Sequence, residues 1–180
     1  EDVSWNSEIV QDSLEVIEEE ADRLTELIEN LLDASRLQAG GFRLNQADLK
    51  VDQLAEQMAE KFQTQTDKHR IITQFPEEFP IIVGDENRLE QVFSNLLSNA
   101  IKYSPEGGDI RISGQIRAQQ IIICVQDQGQ GISPEDLPHV FDRFYRAEEA
   151  ARKTQGAGLG LFMTRAIIEA HHGRIWVEPR

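Results

Sequence analysis

Between Ser7 and Leu37 apolar residues recur with a helical period, and neither Gly nor Pro interrupts them. Val10, Ile17, Leu24 and Leu31 stand seven apart, and Leu14, Ala21, Ile28 and Ser35 form a second row four residues on. These are the two inward positions of a heptad, so the spacing predicts one long helix. Val16, Leu27 and Leu32 widen the stripe beyond a two-stranded seam, towards a bundle. A lone helix cannot bury such a face. It needs partner helices, most simply from a second copy of the chain, and Gly40-Gly41 ends it and hinges it to the remainder of the chain.

Beyond the hinge the periods alternate. Phe42–Leu49 suits a short strand, and Asp52–Thr66 a helix with Leu54, Met58 and Phe62 on one face. Arg70–Phe75 and Ile81–Val83 suit strands separated by the Pro76–Pro80 turn. Glu86–Tyr103 is the next predicted helix, with Leu89, Val92, Phe93, Leu96, Leu97 and Ala100 turned inward. Asp109–Arg117 and Gln120–Gln126 suit an antiparallel hairpin. The second strand, nearly all apolar, is expected to be central, with Cys124 a small buried residue within it. Leu159–His171 reads as a third helix and Arg174–Val177 as a last strand. The expected fold class is α+β. It is a two-layer α/β sandwich, with three helices on one face of a mixed, mostly antiparallel sheet, preceded by one long dimerisation helix.

Composition narrows the function classes. An apolar share of 39% supports a real core, and no apolar run approaches the ~20 residues that span a bilayer. A single cysteine rules out an internal disulfide and fits a reducing compartment. The net charge is −14, and residues 1–44 alone hold 12 acidic and 3 basic side chains. An acidic surface excludes nucleic acid as a partner, because that requires basic patches. It also repels nucleotides at long range, so a nucleotide site here must rely on metal and on local Lys and Arg.

Three stretches carry candidate chemistry. Asn95 and Asn99 stand at i and i+4, so both amides leave one helix face. An amide oxygen is a hard neutral ligand suited to Mg²⁺, although the same pair also suits two surface or capping asparagines. Lys102, one turn beyond Asn99, adds a phosphate-directed charge, and Tyr103 an aromatic face for a base. Asp127 closes the apolar strand and is followed by Gly129 and Gly131, which reads either as an ordinary turn or as a carboxylate that accepts from an exocyclic amine. Gly156, Gly158 and Gly160 open the third helix, where bare amides make an anion site. Their spacing is not that of the dinucleotide fingerprint, and no Lys-Ser/Thr follows as in a Walker loop. The polar stretch from Arg146 to Gln155 reads as a mobile lid rooted at Phe141 and Phe144, with Arg143, Arg146, Arg152 and Lys153 available to a γ-phosphate and Gln155 to a metal.

The order Asn95-Leu-Leu-Ser-Asn99, Asp127-Gln-Gly-Gln-Gly131, Phe141-Asp-Arg-Phe144-Tyr-Arg146 and Gly156-Ala-Gly-Leu-Gly160 resembles the ATP-binding domain of sensor histidine kinases. The resemblance runs from about Ser35 to about Val177. It implies metal contact for Asn99, Asn95 and Gln155 and a catalytic set of Asn95, Lys102, Arg143 and Arg146. It gives adenine recognition to Asp127, and nucleotide contact to Asn99, Lys102, Tyr103, Gly129, Gly131, Ile132, Phe144, Arg146, Gly156, Gly158, Leu159, Gly160 and Leu161. The implied cofactors are ATP and Mg²⁺. Gyrase-like, Hsp90-like and MutL-like relatives carry a Glu as general base where Asn95 stands, and an amide cannot take that proton. Slow hydrolysis is therefore expected, with transfer to a protein acceptor the productive route.

The resemblance further implies that residues 1–39 are the second helix of a dimerisation bundle and 40–180 the catalytic ATP-binding domain. Of His69, His139, His171 and His172, none is followed by an acid as the family's phospho-acceptor is, and His171-His172-Gly173 matches the structural end of its last helix. The acceptor is expected upstream of Glu1, and a closing strand beyond Arg180. The implied partners are ATP, a response regulator receiver domain in the intact protein and a second copy of the chain through the N-terminal helix. No nucleic acid and no membrane contact by this segment are expected, and the location is cytoplasmic, with a parent that a membrane anchor could hold. Two other readings fit the residues: an anti-sigma-factor-type serine/threonine kinase of the same fold, and a non-catalytic nucleotide-binding or dimerisation module.

Overall fold

The computed structural model describes residues 43–147 and 157–178, together with scattered positions between Val10 and Ser35. The chain divides into two compact units, 1–41 and 42–180. In the first, the described positions are helical, and the Thr25 hydroxyl donates to the Ala21 carbonyl at 2.9 Å. Leu14, Ile17, Leu24, Ile28 and Leu31 lie exposed on it. The rest of that predicted helix and the Gly40-Gly41 hinge lie outside the described residues.

The second unit runs β1 (Ala47–Leu49), α1 (Val51–Gln63), β2 (His69–Gln74), β3 (Ile82–Gly84), α2 (Glu86–Tyr103), β4 (Gly108–Arg117), β5 (Gln120–Gln126) and α3 (Gly160–Ala170). The three helices fall where the 3.6-residue periods put them. In α1 the stripe Leu54, Ala55, Met58, Phe62 is buried, and in α2 the stripe Leu89, Val92, Phe93, Leu97, Ala100. Asp85 caps α2 by accepting from the Arg88 amide at 3.2 Å. Ile110 and Ile112 of β4 are fully buried, and Ile71, Ile121, Ile123 and Val125 pack around this core. Each such buried aliphatic side chain contributes about 1.5–3 kcal/mol.

The strands depart from expectation in four places. They form two sheets, not one: β1 pairs antiparallel with β3, while β2 runs parallel to β4 and β4 antiparallel to β5. The chain leaves the larger sheet at Phe75, whose ring stacks edge-on against Phe79 at 5.1 Å over Gly114, where a Cβ would lie 2.8 Å from Phe79 Cε2. The first strand is only three residues long, because β3 offers three partners and the Asn45 amide donates to Asp85 Oδ2 at 2.7 Å instead of to a ladder. Among the described residues β5 is an edge strand and not central, since only β4 pairs with it. Ile121, Ile123 and Val125 pack against the core, so the alternate residues Ile122 and Cys124 point to the opposite face, and Cys124 is exposed, not buried. Residues 174–177 form no strand: Trp176 Nε1 donates locally to Glu178 at 3.0 Å, and its ring is 46% exposed.

A buried clip joins remote parts of this unit. Besides its two acceptor bonds, Asp85 donates its own amide to His171 Nε2 at 2.9 Å, while His171 Nδ1 donates to the Ile167 carbonyl at 2.8 Å. The imidazole is thereby held as the Nδ1–H tautomer, and His171 is a structural residue at the end of α3.

Candidate functional site

Helix α2 is the spine on which the candidate residues gather. At its end, Lys102 Nζ lies 5.4 Å from the centroid of the Tyr103 ring, and both residues are half-buried, as is Asn99. The loop after β5 closes onto this end of the helix. The Gly129 amide donates to Asp127 Oδ1 at 2.7 Å, and the Gln130 amide to the Tyr103 carbonyl at 3.4 Å. A Cβ on Gly129 would run into the Tyr103 carbonyl oxygen and come within 2.9 Å of Asp127 Oδ1, so only glycine fits. Gly131 has φ +73° and open space around it, and half-buried Ile132 follows.

Two turns earlier on α2, Asn95 holds the start of α3. Its Nδ2 donates to the Gly160 carbonyl at 2.6 Å and to Thr164 Oγ1 at 3.2 Å. A Cβ on Gly160 would lie 2.9 Å from Asn95 Cγ. Asn95 thus packs half-buried against the start of α3, its amide nitrogen bonded and its oxygen the atom that a Gly160 Cβ would meet first. Leu159 is buried and Leu161 half-buried beside it. Gly158 has φ +69°, and its carbonyl accepts from the Phe144 amide at 2.9 Å, which pins the two ends flanking residues 148–156 together.

The arginine-rich stretch is arranged differently from the packing root expected. Phe144 is 56% exposed with φ +64°, and the Arg143 guanidinium covers its ring at 4.7 Å. Arg143 also lines a shallow cleft with Phe141, Phe162, Arg165 and Glu169, on the face of α3 that Met163 and Ile167 do not use. Arg146 is half-buried at the edge of the described residues. Tyr145 donates its hydroxyl to Asp136 Oδ1 at 2.6 Å, and Ser133 donates to Asp136 Oδ2 at 2.7 Å. These two bonds, the tyrosine's first, hold the Asp136 carboxyl below its ordinary value. Arg152, Lys153, Gln155 and Gly156 lie outside the described residues.

Both glycine segments therefore close on one helix, the first at Tyr103 and the second at Asn95. With this arrangement in view, comparison with known proteins decides the family. The description "Histidine kinase-, DNA gyrase B-, and HSP90-like ATPase" matches residues 84–180, from the end of β3 through α3. The chain belongs to this ATPase family.

Within it, the chain is 32% identical to the sensor histidine kinase WalK of Bacillus subtilis, over 97% of this chain and 30% of that protein. It is 36% identical to the sensor-like histidine kinase SenX3 of Mycobacterium bovis, over 97% of this chain and 43% of that protein. The chain thus spans less than half the length of these curated relatives. The solved structure of the Acinetobacter baumannii histidine kinase AdeS superposes with a TM-score of 0.70 at 28% identity, over 93% of this chain and 76% of that one. The α+β architecture with mostly antiparallel pairing agrees with this ATPase family, and among the described residues no helix is long and apolar enough to cross a membrane.

Sequence reasoning missed Thr164, which sits inside an apolar run. A polar residue four positions after Gly160, on the buried side of α3, was the available signal. It also missed Asp85 as a clip, although an Asp before a helical period is a capping signal.

Proposed function

We propose that the chain is the nucleotide-binding part of a sensor histidine kinase. It binds Mg-ATP along α2 and, in the intact protein, passes the γ-phosphoryl to a histidine for relay to a receiver aspartate. The observation that supports this reading is the closure of both glycine segments on one face of α2. Asn95 and Tyr103, the two points of closure, are eight residues apart, about 12 Å along the helix. Between them the helix carries Asn99 and Lys102.

The roles follow from chemistry. The Asp127 carboxylate has one oxygen engaged by the Gly129 amide, which aims it, and it is placed to accept from the adenine amine. Tyr103 offers an aromatic face. The start of α3, with Gly158 and Gly160, presents amides and a positive dipole end to phosphates. A neutral amide oxygen on Asn99 suits Mg²⁺, and that ion would neutralise phosphate charge in a chain of net charge −14. Where a general base would stand for hydrolysis, Asn95 offers an amide bonded to α3, so the residues favour transfer to a protein acceptor over attack by water.

Residues 1–39, with their exposed apolar stripe, supply the second helix of a dimerisation bundle, and the chain partners a second copy through it. Two of the four histidines are engaged structurally, which supports an acceptor elsewhere: His171 is clipped to Asp85 and Ile167, and His69 is buried against Ser104 and Thr66. The intact protein acts in the cytoplasm on a receiver domain.

Calorimetric titration with a non-hydrolysable ATP analogue tests the proposal. The chain is expected to bind it with Mg²⁺ present, and Asn99→Ala to weaken that binding by about tenfold or more with unchanged circular dichroism. A chain that binds no analogue overturns the reading, and equal Mg²⁺-dependent binding by Asn99→Ala overturns the metal role.

A further inference from the structure

Thr164 is the one polar side chain among the buried positions of α3, lying between Met163 and Ile167 and fully enclosed. A threonine in that setting must find a hydrogen-bonding partner, and its Oγ1 accepts from Asn95 Nδ2 at 3.2 Å. The same nitrogen donates to the Gly160 carbonyl at 2.6 Å. Gly160 and Thr164 are one helical turn apart, so the two N–H groups of a single amide straddle the first turn of α3. That arrangement also fixes the amide's orientation. Half a turn about χ2 would set the Asn95 oxygen against the Gly160 carbonyl oxygen, two acceptors in contact. Gly160 leaves no slack, since a Cβ there would lie 3.0 Å from Asn95 Nδ2.

We infer that Thr164 is a positioning residue for the nucleotide site. It locks the Asn95 carboxamide, and through it the register between the phosphate-facing start of α3 and the α2 face bearing Asn99 and Lys102. This rests on the nucleotide reading above. The hydroxyl touches no substrate; it acts through Asn95. Its removal leaves one N–H of Asn95 without an acceptor, leaves the Gly160 carbonyl as the only anchor of that amide nitrogen on α3, and loosens the first turn of the helix. Phosphate contacts depend on that turn. Base contacts at Asp127 lie by Tyr103, about 12 Å further along α2, and do not.

The test uses the whole chain and two substitutions. Thr164→Val keeps the shape and removes the acceptor; Thr164→Ser keeps the hydroxyl. Amide hydrogen exchange over residues 159–163 is followed without ligand. Calorimetry then measures affinity for a non-hydrolysable ATP analogue with Mg²⁺, and separately for adenosine. Thr164→Val is expected to exchange faster at the start of α3, bind the analogue about tenfold more weakly, and bind adenosine as the parent does. Thr164→Ser is expected to match the parent in all three. Should valine unfold the chain, Thr164→Cys, of similar size and only a weak acceptor, carries the same expectations.

Unchanged analogue affinity in the valine variant overturns the inference. So does an equal loss for adenosine and analogue, which would mark general loosening, and so does a serine variant as impaired as valine, which would mark shape rather than the hydroxyl. A parent chain that binds neither ligand, while Thr164→Val still speeds exchange, separates the cases: the clasp is real and the nucleotide reading fails, taking the positioning role with it.

Discussion

Three glycines near the site separate two reasons for glycine, and alanine substitutions measure them apart. Gly131 has φ +73° and nothing within 4 Å of a built Cβ, so alanine there meets only the left-handed backbone penalty, about 1 kcal/mol. Lower entropy of the unfolded chain offsets part of that, by about 0.4–1 kcal/mol. Gly129 has no positive φ, but its Cβ would overlap the Tyr103 carbonyl oxygen. That oxygen is backbone and not the end of a flexible side chain, so the loop must shift off α2, at a cost of about 1–3 kcal/mol. Gly158 combines both: φ is +69°, and a Cβ would lie 2.7 Å from the Phe144 carbonyl carbon and from the Tyr145 oxygen. Its expected cost is about 2–4 kcal/mol, the sum of the two effects. Urea unfolding followed by far-ultraviolet circular dichroism ranks the three. Adenosine calorimetry adds a second axis, because displacing residues 127–130 costs base affinity for Gly129→Ala and leaves it intact for Gly131→Ala. If Gly131→Ala destabilises as much as Gly158→Ala, or Gly129→Ala is silent in both assays, the close approaches do not constrain the loops and the reasoning fails.

Three further outcomes are expected. Asp127→Asn weakens adenosine binding and narrows the preference over guanosine by about tenfold or more, and parent affinities that are equal for the two nucleosides would remove Asp127 from base recognition. The lowered Asp136 carboxyl contributes stability that is complete above its ordinary value of 3.8 and is lost as pH falls through its lower folded value. Protection from exchange at residues 133–145, relative to the intrinsic rate at each pH, should therefore be flat through neutral pH and fall only in strong acid, and a fall near neutrality would refute the Tyr145–Asp136 tie. Cys124 is exposed, yet burial of part of its thiol, and then Glu178 nearby, raise it above the ordinary 9.0. Alkylation of the folded chain should go to completion slowly at neutral pH and speed up in alkali, whereas full protection without denaturant would contradict its exposure.

The helices were legible because each signals itself locally. Leu54–Met58–Phe62 and Leu89–Val92–Phe93–Leu97 carry the period that one buried face demands, and Asp85 announces a start. Strand placement was not legible, because pairing partners lie far apart in sequence. Ile121-Ile-Ile-Cys-Val reads equally as a central strand or as an edge with a half-covered outer face, and only the pairing with β4 distinguishes them. The division into two sheets depends on Phe75 and Phe79 meeting over Gly114, a tertiary contact with no local sign. At the candidate site, the glycine spacing pointed to the two segments that close on α2. The engagement of Asn95 with Gly160 and Thr164 did not show, since it joins residues 65 and 69 positions apart.

The Asp85 clip bears on how the chain reaches this structure. Its partners are Asn45, 40 residues earlier, and His171, 86 residues later. Closing such long loops is slow relative to forming helices, because their entropy is lost before the contact stabilises anything. During synthesis α1, β4 and β5 emerge and can pack while the Asp85 amide still lacks its imidazole acceptor. The last turn of α3 must arrive before that donor is satisfied. Folding of residues 42–180 is thus expected to become cooperative only once His171 has left the ribosome, which makes the end of α3 the latch of the whole unit and His171→Ala a variant that speeds unfolding more than it slows folding.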